Sequence, residues 1–472
     1  MSLRSPSSKA AHPALIGAVA RPFWLDSPDA PLPAPALTAP TTADLVIVGA
    51  GFTGLWAAVQ AKQDDPSRDV VMLEANCAAF GASGRNGGFV EASLTHGILN
   101  GVARFEDELE TLERIGEQNL ADLVATLENH AIDARYEASG SITVATAPHH
   151  LAELEEAAAV QRRYGADVEV LDGGAVRALV DSPTYLGGIW QKGGGGIADP
   201  ARIAWGLRRV ALELGVRIHD HSPVQSLRDE GDRVVVGCPG GQLRARRVLL
   251  GTGGYPGLLA PINRIIAPVY DYVIVTEPLS VSQLAGIGWS GRQGLSDGGN
   301  RFHYYRLTPD NRILFGGYEA VYYFGGGVGP RHDQNAEVIA TLTRHLFEIF
   351  PQLEGLRITH TWGGVIDTCS RFCVSFGTAH AGKTAYAVGY TGLGVAATRF
   401  GARVALDLLD GADTEFTRLR LVRTRPLPFP PEPLRWPVIT ATRRALGRAD
   451  QNGGRRGPWL RLLDGVGLGF DS

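Results

Sequence analysis

A glycine-rich turn near residue 50 constrains the fold of this chain more than any other feature. Gly49, Gly51 and Gly54 have the spacing G-x-G-x-x-G, and they follow an apolar run, residues 44–48, that is typical of a strand buried on both faces. In such a turn the first glycine permits a tight bend, the second lets a pyrophosphate approach the backbone, and the third brings helix and strand together. The N–H groups at the start of the next helix then face the phosphates. The pattern predicts a dinucleotide-binding unit.

A second apolar strand, residues 70–73, ends in Glu74, which lies 20 residues after Gly54. An acid at this position accepts hydrogen bonds from ribose hydroxyls, and its charge disfavours a 2′-phosphate, so NADP is not expected. Strand, helix, second strand and acid therefore occur in the order that a dinucleotide site requires. The predicted site also includes four neighbouring residues: Ala50, Phe52, Thr53 and Ala75.

The composition is that of a globular protein with more than one domain. The chain has 472 residues, of which 44% are hydrophobic and 20% charged, and this length suggests two or three domains or one interwoven pair. The formal net charge of −4 gives no reason to expect a nucleic-acid partner. The few, scattered cysteines do not form a disulfide framework, and no second ligand pair completes a zinc site around Cys369 and Cys373, so no metal is expected.

The two ends of the chain differ from its middle. Residues 1–43 are rich in Ala, Pro and Ser and predict an irregular arm, which an apolar cluster at residues 23–25 pins to the body. Residues 418–472 hold eleven arginines against four acids, and we expect them to wrap on the body or a homodimer partner, or to contact an anionic membrane surface. No apolar run approaches the roughly 20 residues of a membrane helix, and no signal peptide is recognisable, so a cytoplasmic protein is expected.

Two later strands that end in glycine-rich turns indicate that the chain returns to the nucleotide unit. Residues 247–250 precede a turn that contains Thr252 and Gly253, and residues 386–388 precede a turn and a helix that repeat the mechanics of the first motif. The nucleotide-binding domain is therefore predicted to be discontinuous. The predicted division is an N-terminal arm (1–43), a nucleotide-binding domain (44–93, 200–265 and 355–411), a substrate domain (94–199 and 266–354) and an Arg- and Pro-rich C-terminal arm (412–472).

Several segments, taken in order, resemble one known family. They are DLVIVGAGFTGLWAA, LEA, GASGRNGG, GGGIADPARIAWGLRRVALELGV and VGYTGLGV. Together they resemble the D-amino-acid-oxidase-type FAD-dependent oxidoreductases over about residues 22–411, with YDYVIVTEP and HYYRLTPDNRILFGG most similar to the γ-glutamylputrescine and aminophosphonate oxidoreductase branch. The resemblance implies an α/β fold, with a Rossmann-like FAD-binding domain of the GR2 type and an inserted α+β substrate domain on a mostly antiparallel sheet.

The resemblance also implies how FAD is held. Gly49, Gly51 and Gly54 would approach the pyrophosphate, Glu74 the adenosine ribose, and the backbone of Val224 the adenine. We expect non-covalent FAD, since no cysteine stands where sarcosine-type enzymes attach their flavin. The residues implied along the pyrophosphate and the flavin are Ser83, Arg85, Asn86, Gly87, Gly88, Thr391, Gly392, Leu393, Gly394 and Val395.

The family chemistry is the oxidation of a C–N bond, in which hydride passes from the carbon beside an amine to flavin N5 and water hydrolyses the resulting imine. At alternating strand positions, His303 and Tyr305 share one face and Tyr304 and Arg306 the other; packed aromatics and a surface arginine are equally compatible with this pattern. Small amines are the expected substrates, with O₂ or another electron acceptor. The candidate substrate-contacting residues are His96, His303, Tyr304, Tyr305, Arg306 and Trp362.

The chain departs from the family pattern at two points. Glycine and D-amino-acid oxidases carry a carboxylate-clamping arginine four residues after the Trp-x-Gly start, and here the count from Trp362 reaches Ile366. This departure disfavours a simple α-amino acid and makes Arg306 the nearest candidate cation for an anionic substrate group. The lysine that promotes the oxygen reaction in sarcosine-type oxidases also has no counterpart among Lys9, Lys62, Lys192 and Lys383.

Two other functions stay open at this point. A flavin monooxygenase would need a late Gly-Asp before the last helix, where this chain has Gly-Tyr-Thr, and it would require NADPH. A flavin-stabilised assembly or membrane-docking protein without turnover would account for the arginine-rich end. Bleaching of bound flavin by an amine under anaerobic conditions distinguishes the amine oxidoreductase from the latter.

Overall fold

Two large β-sheets organise the chain, and both are assembled from segments that are far apart in sequence. The computed structural model describes residues 12–465, 467 and 468, so the ends of both predicted arms lie outside the described residues. The strands are β1 (Thr41–Val48), β2 (Val70–Leu73), β3 (Phe89–Glu91), β4 (Ser141–Ala145), β5 (Val168–Asp172), β6 (Gly187–Gln191), β7 (Gly195–Ile197), β8 (Arg217–His219), β9 (Ser226–Asp229), β10 (Val234–Cys238), β11 (Gly241–Leu250), β12 (Ala267–Thr276), β13 (Gly294–Asp297), β14 (His303–Leu307), β15 (Ile313–Gly317), β16 (Val321–Tyr322), β17 (Ile358–Thr368), β18 (Ser375–Ala379) and β19 (Thr384–Val388).

Helices connect and cover these strands. They are α1 (Phe52–Asp64), α2 (Ile98–Phe105), α3 (Leu109–Asn129), α4 (Pro148–Arg163), α5 (Gly173–Leu179), α6 (Pro200–Glu213), α7 (Ala260–Ile265), α8 (Val281–Ile287), α9 (Ala336–Ile349), α10 (Ala397–Asp410), α11 (Glu415–Arg418), α12 (Arg420–Arg423), α13 (Arg435–Gln451) and α14 (Pro458–Gly465). None of the described helices is long and apolar enough to cross a membrane.

The first sheet is the predicted Rossmann-like unit. Its strands follow the order β18-β19-β11-β1-β2-β8, with parallel pairing from β19 to β8, and a β9–β10 hairpin adds to β11. The residues of β1 from Leu45 to Val48 are all buried, as expected for a central parallel strand. Helices α1 and α10 pack against one face. The nucleotide-binding fold predicted from the glycine motif is confirmed.

The second sheet is the predicted inserted domain. Its order is β16-β12-β15-β14-β13-β4-β6-β5, with β17 also paired to β12, and every pairing except β4 with β13 is antiparallel. Helix α9 packs on β12 and β15 and closes the core on that face. The mostly antiparallel sheet is confirmed.

One strand lies in a different sheet from the one expected. The sequence division assigned residues 355–411 to the nucleotide-binding domain, but β17 pairs along its length with β12 of the second sheet. The partner of this strand depends on contacts with residues some 90 positions away, which the local sequence does not specify. The other boundaries of the division stay a prediction.

Both arms pack on the body. Trp24 of the N-terminal arm is 3% exposed, and its indole Nε1 donates to the carbonyl oxygen of Asn86 at 2.9 Å, so the predicted pinning cluster does reach the core. The C-terminal arm contains the four helices α11–α14. Phe429 and Ile439 of that arm pack against Ala267 and Val269 of β12. The described part of this arm therefore belongs to the body of the protein.

Candidate active site

A cavity of about 1140 Å³ is lined by residues of both sheets. Single ligands usually occupy pockets of roughly 300–1,000 Å³, so this cavity has room for a large cofactor together with a small second molecule. Most of the predicted cofactor residues line it. They are Gly49, Gly51, Phe52, Thr53, Glu74, Ala75, Ser83, Arg85, Asn86, Gly87, Val224, Thr252, Gly253, Thr391, Gly392, Leu393, Gly394 and Val395.

Three predicted cofactor residues, Ala50, Gly54 and Gly88, lie behind the cavity wall. A Cβ atom on Gly54 would come within 2.0 Å of the carbonyl oxygen of Gly49, so Gly54 serves the close packing of α1 on β1. Gly49 itself has φ +102°, and a Cβ atom there would lie 2.7 Å from the carbonyl oxygen of Gly251. Gly49 and Gly54 therefore have the turn and packing roles that the spacing predicts, and the approach of a pyrophosphate at Gly51 stays a prediction.

Glu74 joins the glycine turn to the end of β2. Its Oε2 accepts a hydrogen bond from the backbone N–H of Ala50 at 2.7 Å, and its Oε1 accepts one from Asn76 at 2.8 Å. Burial raises the pKa of Glu74, while these hydrogen bonds favour the ionised form. Each carboxylate oxygen keeps a further lone pair for a ribose hydroxyl, so the residues present fit the adenosine end of a dinucleotide.

Buried side chains hold the loop that contains Arg85 to Gly88. The indole Nε1 of Trp362 donates to the carbonyl oxygen of Arg85 at 2.8 Å, and Arg306 Nη1 donates to that of Gly88 at 3.2 Å. Neither Trp362 nor Arg306 lines the cavity, and both are completely buried. The prediction that they contact substrate is therefore not met in this structure, because both lie behind the loop and fix its backbone.

Arg85 connects this loop to the second sheet. Its Nη1 donates to Asp333 Oδ2 at 2.8 Å and to the carbonyl oxygen of Gly363 at 2.9 Å, while its Nε donates to the carbonyl oxygen of Phe80 at 2.8 Å. A Cβ atom on Gly364 would lie 3.2 Å from the Cβ of Arg85. The loop 85–88, called the flavin loop below, is thus held from the second sheet.

Asp271 and Tyr304 form a pair in the cavity wall. Tyr304 OH donates to Asp271 Oδ2 at 2.5 Å, and Asp271 Oδ1 accepts from the N–H groups of Tyr272 and Gly317 at 2.8 and 3.2 Å. Burial raises the pKa of Asp271 to about 6, against the opposing effect of these hydrogen bonds. The pair lies beside the flavin loop, because the ring of Tyr304 stands where a side chain on Gly87 would lie.

Asp271 was not among the residues predicted from the sequence. It pairs in register with Gly364, the residue that lies against Arg85. The one local signal was a carboxylate within the otherwise apolar strand β12, whose other residues are buried.

His303 and Tyr305 lie in the core under α9 and do not line the cavity. His303 Nδ1 lies 2.6 Å from Asp297 Oδ2, and its Nε2 lies 2.9 Å from His345 Nδ1. Tyr305 OH and Tyr185 OH are 2.8 Å apart. The sequence placed His303 and Tyr305 on one strand face, but that face carries the helix, and only the opposite face reaches the cavity.

His96 does line the cavity. It has φ +61°, and its Nδ1 is buried without a hydrogen-bond partner among the described residues. Burial lowers the pKa of His96 to about 4, so the ring is neutral at physiological pH.

Further acidic residues line the cavity, among them Glu91 and Glu113. Burial raises the pKa of Glu91, and burial followed by the charge of Glu117 raises that of Glu113 to about 7. Within the described part of the chain, neither Glu91, Glu113 nor Asp271 forms an ion pair. The cavity therefore has an excess of acidic groups that a cation could pair with.

Two observations bear on the departures from the family pattern. Ile366, the residue reached by the count from Trp362, lines the cavity, and no described lysine does so. Lys9 lies outside the described residues. None of the four cysteines, all of them described, contributes to the cavity wall.

A Rossmann-like sheet and an antiparallel sheet that enclose such a cavity define a flavin-dependent oxidoreductase. The family model described as FAD dependent oxidoreductase (DAO) matches residues 44–408. The chain belongs to this family, and its cofactor is FAD, as the resemblance predicted.

Individual proteins agree with this assignment. Gamma-glutamylputrescine oxidoreductase of Escherichia coli is 31% identical over 394 residues, which cover 82% of this chain and 88% of the relative. A probable oxidoreductase OrdL of Haemophilus influenzae is 28% identical over 405 residues, covering 83% and 89%. The crystal structure of glycine oxidase from Geobacillus kaustophilus, at 18% identity, has the same fold, with a TM-score of 0.66 over 81% of this chain and 99% of that one.

Proposed function

We propose that this protein oxidises the C–N bond of a small primary or secondary amine. The observation that carries the proposal is the Asp271 carboxyl group, which faces the cavity beside the flavin loop and has no cationic partner among the described residues. An ammonium group is the natural complement of such a carboxylate, since a buried charge is costly unless it is paired.

Asp271 would bind the amine and hold its proton. When bound, FAD accepts a hydride from the carbon beside the nitrogen. For that transfer the nitrogen must give up its ammonium proton, and Asp271 Oδ2 is placed to accept it, with Tyr304 keeping the carboxylate oriented. The ammonium form of the substrate thus loses a proton and then a hydride and becomes an iminium ion. Water hydrolyses this ion to a carbonyl compound and a protonated amine or an ammonium ion.

The residues around Asp271 favour an amine over a simple α-amino acid. Ile366 offers no charge to an α-carboxylate, and Glu91 and Glu113 add acidic side chains to the cavity wall. The name of the Escherichia coli relative, which is 31% identical, points to the same substrate class. Without a cavity lysine among the described residues, we propose reoxidation by O₂ with formation of H₂O₂ or by another acceptor.

The test is a panel of amines mixed with the holoenzyme under nitrogen. Loss of the 450-nm flavin absorbance on mixing is expected for at least one short primary or secondary amine and not for glycine. If no amine bleaches the flavin and NADPH does, the protein is a monooxygenase. If neither does, it binds FAD without turnover.

A homodimer contact or a peripheral membrane contact through the C-terminal arm stays a prediction. The arm exposes Leu434, Trp436 and Leu462 next to several arginines. Co-sedimentation with anionic vesicles tests the membrane contact, and light scattering tests the dimer.

A further inference from the structure

The C-terminal helix α13 forms part of the cavity wall. Residues 438, 439, 442, 443 and 446, which recur at helical spacing, line the cavity from this helix. The match to the family model ends at residue 408, so this part of the wall is an addition to the family domain.

Asp450 anchors α13 to the second sheet. Its Oδ1 accepts from the backbone N–H and the side-chain Nδ2 of Asn300 at 2.9 and 2.7 Å, and its Oδ2 accepts from the N–H of Arg301 at 3.1 Å. Gly447 leaves room for Arg301, because a Cβ atom there would lie 2.5 Å from the guanidinium carbon. The helix is therefore seated in a defined register.

This register brings two arginines to one carboxylate. Arg301 Nη1 lies 2.8 Å from Glu319 Oε1, and Arg443 Nη1 lies 3.2 Å from Glu319 Oε2. All three residues line the cavity. Among the described residues, Glu319 is the only side-chain partner of Arg443, so most of the N–H groups of that guanidinium have no acceptor. The carboxylate of Asp450 is occupied by the three N–H donors of Asn300 and Arg301.

We propose that Arg301 and Arg443 form an anion subsite, which binds a carboxylate or phosphonate group at the far end of the amine substrate. The proposal rests on the amine-oxidising function above, with the amino group at Asp271. The N–H of Gly317 donates to Asp271, and Gly317 is two residues from Glu319. The Cα atoms of Gly317 and Glu319 are therefore at most about 7 Å apart. The preferred substrate therefore carries its amino and acidic groups several bonds apart, on one short chain.

The subsite is tested by calorimetric titration of the holoenzyme with two dianions that FAD does not oxidise, glutarate and propylphosphonate. Arg443→Met is expected to weaken binding of the preferred dianion about 10- to 100-fold, as for loss of a hydrogen bond to a charged group. Arg444→Met, an exposed change on the same helix, is the matched control and should leave binding unchanged. The dianion that binds more tightly shows whether the subsite prefers a carboxylate or a phosphonate group.

Glu319→Gln should strengthen dianion binding, whereas Arg443→Met should weaken it. Removing the competing carboxylate releases both guanidinium groups, so the dianion should bind severalfold more tightly, and Arg443→Lys should retain part of the affinity. Equal affinity in the wild type and Arg443→Met, at unchanged melting temperature and FAD content, overturns the subsite, as does weaker binding in Glu319→Gln.

The titration tests the anion subsite and the amine panel tests the proposed reaction, so each proposal can be refuted without the other. Dianion binding that depends on Arg443 without bleaching by any amine supports the subsite and refutes the proposed reaction. Bleaching by an amine while Arg443→Met binds dianions normally refutes the subsite alone.

Discussion

The guanidinium group of Arg306 donates a hydrogen bond to the carbonyl oxygen of Gly88 across 3.2 Å, although the two residues are 218 positions apart in the chain. The same nitrogen donates to the carbonyl oxygen of Ala198 at 2.5 Å. Arg306 thus ties the flavin loop to the start of α6. Burial lowers its pKa to about 9, and it has no place in the cavity wall.

Replacement of Arg306 by Met should therefore act on stability and not on specificity. The carbonyl groups of Gly88 and Ala198 each lose the hydrogen bond from Arg306, while Gly88 O still accepts from the N–H of Ala198. The expected cost is about 1–3 kcal/mol. We expect a lower melting temperature and faster loss of FAD, measured by flavin fluorescence on heating. The ratio of KM values for an acid-bearing and a neutral amine should not change, in contrast to Arg443→Met. A selective rise in KM for the acid-bearing amine would restore Arg306 as an anion clamp.

The ionisation of Asp271 should cause the decrease of kcat/KM at low pH. Its pKa of about 6 means that the carboxyl group is protonated below that pH and cannot pair with an ammonium group. For the wild type, kcat/KM should therefore fall as the pH drops through about 6, since this parameter reports groups of the free enzyme.

Asp271→Asn should lower kcat/KM for an amine about 10- to 100-fold at neutral pH and should abolish this decrease at low pH. Glu277→Gln is the control, because Glu277 follows the same strand and pairs with Arg357 outside the cavity. An unchanged decrease at low pH in Asp271→Asn would assign the titration to another group.

Glu74→Ala should weaken FAD binding without unfolding the protein. A charge-assisted hydrogen bond to ribose contributes roughly 1.5–3 kcal/mol, or about ten- to a hundredfold in affinity. Loss of the hydrogen bond to Ala50 N adds to the effect by loosening the glycine turn. The dissociation constant is measured by titrating apoprotein with FAD. The control is Asp232→Ala, an exposed acid in the connection between β9 and β10 and outside the cavity wall. Equal affinity in both variants would remove Glu74 from the site.

The purified protein should be yellow, with FAD held non-covalently. Cys369 and Cys373 are buried outside the cavity, and the Sγ of Cys369 donates to the carbonyl oxygen of Cys373 at 3.1 Å. Acid precipitation should leave the colour in the supernatant, as it should for the Cys369→Ser variant. A yellow wild-type pellet that becomes white in this variant would show a covalent link.

The nucleotide half of the protein could be read from the sequence because its determinants are local. Gly49, Gly51 and Gly54 act through backbone geometry within one turn, and Glu74 follows at the end of the neighbouring strand. Such features are close in the chain and close in space, so pattern and spacing are sufficient. The prediction also included the loop at Arg85 and the turn at Thr391, and both line the cavity.

The substrate half depends on contacts between distant segments. The alternation of β14 showed that His303 and Tyr305 share a face, but only the packing of α9 made that face the core and left Tyr304 in the cavity. Asp271 and Arg443 reach the wall through strand register and through a helix anchored by Asp450. Local periodicity carries no information on which face another element will cover, and this choice, made by the tertiary structure, assigns each side chain to the core or to the site.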